Sequence, residues 1–247
     1  RVCEHYLLDH SKLTVTSLDP EETKIKEAAT KLLKSKSEIV SHTLSNGLEL
    51  QLSASPRLPM VSIQGACIAG LTSETPATAG ISTLLSTLLT KGTTSRSGAE
   101  IANQLESLGA GLAASAGNNT AAISASCLSQ DLGTVLELLG DCYANPSFNS
   151  DIIEFEKKTQ LNALLEQDED PVSLAFRTMR STLFAGQGYG INSLGSKESI
   201  GKLDRLSLSA HHSLYYTAQN TKLSIFGDID IDQTIELAEK HLSQIRS

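Results

Sequence analysis

At 247 residues, 40% of them hydrophobic, the chain is long enough for one large or two small globular domains with a sizeable core. A formal net charge of −8 argues against a nucleic-acid phosphate partner, and no apolar run is long enough to span a membrane as a helix. Four cysteines, Cys3, Cys67, Cys127 and Cys142, are scattered without a C-x-x-C pair, so neither a disulfide framework nor a zinc ribbon is expected, and buried free thiols are. No signal-peptide pattern is visible. The first residue is Arg1 rather than methionine, the expectation for a processed product or a fragment, which leaves the compartment open.

Residues 1–8 read as the end of a helix. Lys12–Leu18 alternates as a strand with no partner nearby, so residues 1–19 are expected to be the tail of a preceding domain. Residues 20–38 follow as a solvated linker helix, with Pro20 at its first position and Glu21, Glu22 and Glu27 balanced by Lys24, Lys26, Lys31 and Lys34. A new domain, residues 39–247, opens with two short strands around Asn46-Gly47, a type I′ hairpin signal. Met60–Ala69 reads as a third, central strand.

The stretch from Ala79 to Thr93 organises the domain. Ile81, Leu84, Leu85, Leu88 and Leu89 share one helical face, while Thr83, Ser86, Thr87 and Thr90 share another. A solvated helix ordinarily carries charge on its second face. A stripe of short hydroxyl side chains therefore either packs on a neighbour or looks into a cavity.

Ser97-Gly98-Ala99-Glu100 is a capping box opening a helix to about Leu108. Leu112–Ala116 and Thr120–Leu128 read as paired strands. Helices are then expected at Leu132–Ala144, at Ser150–Gln167 with Ser150 as N-cap, at Pro171–Phe184, at Leu206–Tyr216 and at Ile231–Ile245, with a strand at Lys222–Gly227. Strand, strand, strand, helix, helix, strand, strand and a run of helices point to an α+β fold, a largely antiparallel sheet with helices packed mainly on one face.

The pattern around Gly80 and the ending Thr90-Lys91-Gly92-Thr93 resembles the active-site helix of the pitrilysin/insulysin/mitochondrial processing peptidase family of zinc peptidases, G-x-x-H-x-x-E-H-x-x-x-K-G-T. Further segments are similar in order along the chain. They are Tyr6-Leu7 with Val15, Leu18 and Pro20, then Thr43–Leu48, then Phe184–Ile200, and finally Phe226-Gly227-Asp228-Ile229-Asp230. The resemblance implies that the family's two metal histidines fall on Thr83 and Thr87, its glutamate base on Ser86 and its distal glutamate ligand on Ala163. None of these can hold zinc or activate its water.

A degenerate, non-catalytic domain lacking the zinc site follows from the resemblance. It would wall a substrate chamber with Thr83, Ser86, Thr87 and Thr90 and bind peptide or unfolded polypeptide. The homologous catalytic half, in cis upstream or as a partner subunit, would carry the zinc, and a further domain would follow Ser247. The alternative expectation is a structural subunit similar to the bc1-complex core proteins or inactive processing-peptidase subunits, and a third is a plain peptide-binding module.

Other constellations imply less. His211-His212 are adjacent on a helix and point about 100° apart, a poor metal pair. His5 and His10 have no carboxylate cluster. Glu166, Asp168, Glu169 and Asp170 lack EF-hand spacing and read as a solvated helix end. Ser86 has no G-x-S-x-G setting for a nucleophile. Gly186, Gly188 and Gly190 lack the strand and the Lys-Ser/Thr of a phosphate loop.

Overall fold

The structure, a computed structural model, describes residues 39–247. The expected preceding-domain tail and linker helix, residues 1–38, lie outside the described residues.

Six strands form one sheet in the order β1-β2-β6-β3-β5-β4. They are β1 Val40–Thr43, β2 Glu49–Ala54, β3 Met60–Cys67, β4 Gly111–Ala116, β5 Ala121–Leu128 and β6 Thr221–Gly227. Every neighbouring pair is antiparallel except β2–β6, which runs parallel from Glu49↔Lys222 to Ala54↔Gly227. The two-residue period of the strands decides which face is inside. Leu50, Leu52, Val61, Ile63, Ile123, Leu223 and Ile225 point inward and are fully buried, whereas Met60, Ser62, Gln64, Ser126 and Phe226 point outward and are exposed.

Among the described residues eight α-helices accompany the sheet: α1 Ile81–Leu88, α2 Gly98–Leu108, α3 Leu132–Ala144, α4 Ser150–Glu169, α5 Pro171–Leu183, α6 Lys197–Lys202, α7 Arg205–Tyr215 and α8 Ile231–Leu242. One hydrophobic cluster joins the inner sheet face to Ile81, Leu84, Leu85 and Leu88 of α1, Val135, Leu136 and Leu139 of α3, Leu208 of α7, and Ala238 and Leu242 of α8. Each fully buried leucine contributes roughly 1.5–3 kcal/mol. The outcome is the expected α+β fold, with a mostly antiparallel sheet covered by helices on one face.

Local differences from the sequence reading have local causes. The first hairpin does not use a type I′ turn, because Asn46 keeps a negative φ. Gly47 N–H donates to the Leu44 carbonyl (2.9 Å) and Leu44 N–H to the Leu48 carbonyl (2.9 Å), so Ser45-Asn46 form the turn and Gly47, at φ +91°, is the left-handed bulge after it. Asn46 is spent elsewhere. Its side-chain amide donates to the carbonyls of Leu242 and Ile245, both at 3.0 Å, closing the last helix.

Helix α4 is capped by Asn149 rather than Ser150, with the Asn149 carboxamide oxygen accepting from Asp151 N–H at 2.9 Å. The chain also folds α6 where no helix was expected, on a Ser196/Ser199 capping box. Helix α8 stops at Leu242, three residues before the expected end.

Candidate functional site

Helix α1 is a short core helix, and its start is held by side chains that lie outside it. Its N-cap, Gly80, has no side chain to satisfy the helix's first amides. Glu74 does so instead: its carboxylate accepts from Gly80 N–H at 2.8 Å and from Ser82 N–H at 2.9 Å while only 7% exposed. Burial pushes the Glu74 carboxyl pKa up, against the pull of those amides.

The carbonyls before the helix are bound as well. Ser199 Oγ donates to the Ala79 carbonyl at 2.8 Å, and Gln160 Nε2 to the carbonyls of Gly80 (3.1 Å) and Leu194 (2.9 Å). Helices α1 and α4 and the loop at residues 190–196 are thereby tied together. At the far end of α1, Lys91 Nζ meets the buried carboxylate of Glu156 on α4 at 3.0 Å.

The hydroxyl stripe divides within this frame. Thr83 is half-buried, its hydroxyl donating to the Ser193 carbonyl at 2.7 Å. Thr87 is half-buried and donates back to the Thr83 carbonyl at 3.1 Å, the usual self-bond of a helical threonine. Thr90 is half-buried just past the helix. Ser86 turns the other way: it is 2% exposed, with Oγ 3.4 Å from the Tyr216 hydroxyl.

Ala163 lies half-buried on α4, three residues on from Gln160 and so on the side that meets α1. Two threonine hydroxyls, both already given to carbonyls, a buried serine and a methyl group do not fit zinc, which takes imidazole, thiolate or carboxylate. Among the described residues no three His, Cys, Asp or Glu side chains gather into a metal-holding group.

The adjacent histidines part as helical geometry requires. His211 packs on Tyr215 with Nε2 3.5 Å from Ser82 Oγ, while His212 stacks on Tyr216 and donates through Nε2 to the Tyr143 carbonyl at 2.7 Å. Burial lowers the His211 pKa to about 4, helped by His212; it lowers His212 as well, against the Tyr143 hydrogen bond. Both fall below the value of about 6.5 in an unfolded chain. The unfolded state therefore binds more protons between pH 6.5 and 4, and folding stability drops as pH falls through that window.

Each histidine can contribute a slope of up to about 1.4 kcal/mol per pH unit there. Glu74, raised in the fold, works against part of that slope. Urea midpoints measured at several pH values from 7.5 to 4.5 should fall less steeply for His211→Gln than for the parent. Equal slopes would mean that His211 titrates in the fold as it does in the unfolded chain.

Cys67, Cys127 and Cys142 are free and buried, with burial pushing Cys127 up to about 11 and Cys142 up to about 12. They are packing residues rather than nucleophiles. Sequence reasoning missed Glu74 and Gln160 among the side chains that position α1. The one available signal was a helix opening on glycine with no Ser, Thr, Asp or Asn cap, which requires an acceptor from elsewhere.

Comparison with known proteins agrees with this frame. The model of the insulinase peptidase family, M16, matches residues 55–197, and that of the M16 inactive domain matches residues 202–247. Human mitochondrial cytochrome b-c1 complex subunit 1 is 33% identical over 172 residues, 70% of this chain and 36% of the relative. The β subunit of the mitochondrial processing peptidase of Lentinula edodes is 29% identical over 203 residues, 82% of this chain and 44% of the relative. The chain thus spans less than half the length of these relatives.

Among solved structures, an M16 inactive domain from Pseudomonas fluorescens superposes with a TM-score of 0.79 at 23% identity, covering 84% of this chain and 51% of that one. Pitrilysin does so at 0.77 and 18%, covering 87% and 23%. With one family's two models dividing residues 55–247 between them, the chain belongs to the M16, or insulinase, peptidase family.

Proposed function

We propose that this chain is a non-catalytic domain of a zinc metalloendopeptidase of the M16 family, one that walls the substrate chamber and holds peptide while an upstream half carries the zinc-dependent hydrolysis. The observation that carries the reading is α1 itself. It keeps the Gly80 start and the Lys91-Gly92-Thr93 ending, yet presents Thr83, Ser86 and Thr87, with Ala163 opposite, where a metal site needs ligands and a base.

Peptide holding is supported by the sheet edge. Strand β4 ends the sheet, so one of its backbone edges has no strand partner among the described residues, and its side chains are mostly alanine, glycine and serine. Such an edge accepts an extended chain through main-chain hydrogen bonds. The half-buried hydroxyls Thr83, Thr87 and Thr90 would supply neutral polar contacts. Zinc belongs, in this reading, to the parent protein and not to this domain.

The test restores the missing groups together as Thr83→His, Ser86→Glu, Thr87→His and Ala163→Glu. One zinc per chain is expected by calorimetry and metal analysis. A variant that keeps the parent's circular dichroism and melting transition but takes up no zinc would show that α1 is not the counterpart of the family's metal helix.

A second reading, a structural subunit, is favoured by the 33% identity to a cytochrome b-c1 complex subunit. Peptide mapping of the native parent separates the two. An H-x-x-E-H half in the same polypeptide supports the first; a separate catalytic or membrane-bound protein that co-purifies supports the second.

A further inference from the structure

Helix α5 is mounted inside out. An amphipathic helix on a globular domain ordinarily turns its apolar stripe to the core. In α5 the stripe Val172, Phe176, Met179 and Leu183, at i, i+4, i+7 and i+11, points to solvent, with exposures of 62, 59, 53 and 70%. Its inward side carries Ser173, Arg177 and Arg180, all half-buried. No residue of the helix is buried.

Polar tethers hold it in place. Arg177 pairs with Asp168 and reaches Gln167 Oε1 at 3.4 Å, while Arg180 Nε donates to the Tyr189 carbonyl at 2.9 Å.

We propose that this outward stripe is a self-association surface, packing antiparallel against the same stripe of a second copy of the chain around a twofold axis. Area supports the choice of occupant. The four side chains expose on the order of 500 Å², the size of the largest and often functional apolar patch on a typical monomer, and a twofold pair would bury about 1,000 Å², the lower bound for a specific interface.

Charge supports the orientation. Glu166, Asp168, Glu169 and Asp170 crowd the N-terminal end of α5, whereas residues 181–190 beyond its last arginine carry no charge. An antiparallel pair sets each acidic end against the partner's neutral end. A parallel pair would set acid against acid. The stripe is also self-complementary in this arrangement, since Phe176 of one copy meets Met179 of the other near the axis and Val172 meets Leu183.

Sedimentation velocity of the full 247-residue chain from 1 to 200 µM tests the proposal. A monomer–dimer equilibrium with a dissociation constant on the order of 10 µM is expected. Phe176→Glu combined with Met179→Glu should raise it by about 100-fold or more without moving the thermal midpoint, because neither side chain is part of the core. In an otherwise unchanged chain, Phe176→Cys with Met179→Cys should form 176-to-179 disulfides between copies under mild oxidation. A parent that stays monomeric throughout, a glutamate variant that dimerises as before, or cross-links that join 176 to 176 would each overturn it.

Discussion

Asp141→Ala is expected to cost about 3–4 kcal/mol, a large part of the stability of an ordinary domain. Asp141, on α3, is 6% exposed and accepts from three side chains of the connection between α1 and α2: Thr93 Oγ1 at 2.8 Å, Ser95 Oγ at 2.7 Å and Arg96 Nη1 at 2.7 Å, all on Oδ2. Asn145 Nδ2 donates to its other oxygen at 3.2 Å. Burial alone would raise its pKa, but these donors together hold it below the usual carboxylate value.

Removing the carboxylate leaves Arg96 with Glu137 and a long contact to Ser95, and takes the carboxylate acceptor from the buried Thr93 hydroxyl. Urea denaturation read by circular dichroism at pH 7 is the measurement. Since the folded pKa is depressed, the contribution is complete above the unfolded value near 3.8 and fades as pH falls through the lower, folded value. The parent and variant curves should converge in strong acid. A loss below about 1 kcal/mol at pH 7 would mean that water replaces Asp141 at little cost.

Gly227→Ala should be at least as damaging, about 4 kcal/mol or more. Gly227 ends β6 at φ +143°, a conformation in which an L-residue is strained. A Cβ there would also lie 2.1 Å from the Met60 carbonyl oxygen and 2.8 Å from Val61 Cα, both backbone atoms that cannot swing away. Met60's carbonyl is already engaged by Asp228 N–H at 3.0 Å, and Gly227's own carbonyl accepts from Ser55 N–H at 2.6 Å.

Three strand ends thus converge on one residue without a side chain. Loss of soluble, folded protein, or a thermal midpoint lowered by 10 °C or more, is the expected result. Gly201→Ala, where a Cβ meets nothing within 4 Å, serves as the control and should leave the midpoint in place.

How much of this was legible beforehand depended on the range of the interaction. Helices α2 and α3 and strand β5 were readable to within a residue or so, because their signals are local: a Ser97/Glu100 capping box, a 3.6-residue apolar period, a two-residue alternation. The family pattern around Gly80 and Lys91 gave the expectation that metal ligands are missing at Thr83, Ser86, Thr87 and Ala163, which the zinc-restoring variant is designed to test. The Asn46-Gly47 turn was misread because Asn46 answers to carbonyls about two hundred positions away.

Distance in sequence hid the rest of the site. Nothing local to α1 announces that Gln160 binds the Gly80 carbonyl, that Ser193 occupies the Thr83 hydroxyl, or that Ser86 faces Tyr216. The period of α5 gave its boundaries but not its direction, since an apolar stripe looks the same whether it is turned to a core or away from one.

The place of β6 in the sheet bears on how the protein is made. Strand β6 is the last to be synthesised, yet it lies between β2 and β3, parallel to one and antiparallel to the other. Until residues 221–227 have left the ribosome, the first hairpin and the three-stranded β3–β5–β4 unit have no strand to join them, and β2 and β3 each offer an open edge. The nascent chain must wait in two halves. Pairing across so long a separation is slow, and the waiting edges are sites for wrong partners. Yield in a cell should therefore depend on chaperone supply and growth temperature more steeply than the equilibrium stability of the finished fold would suggest.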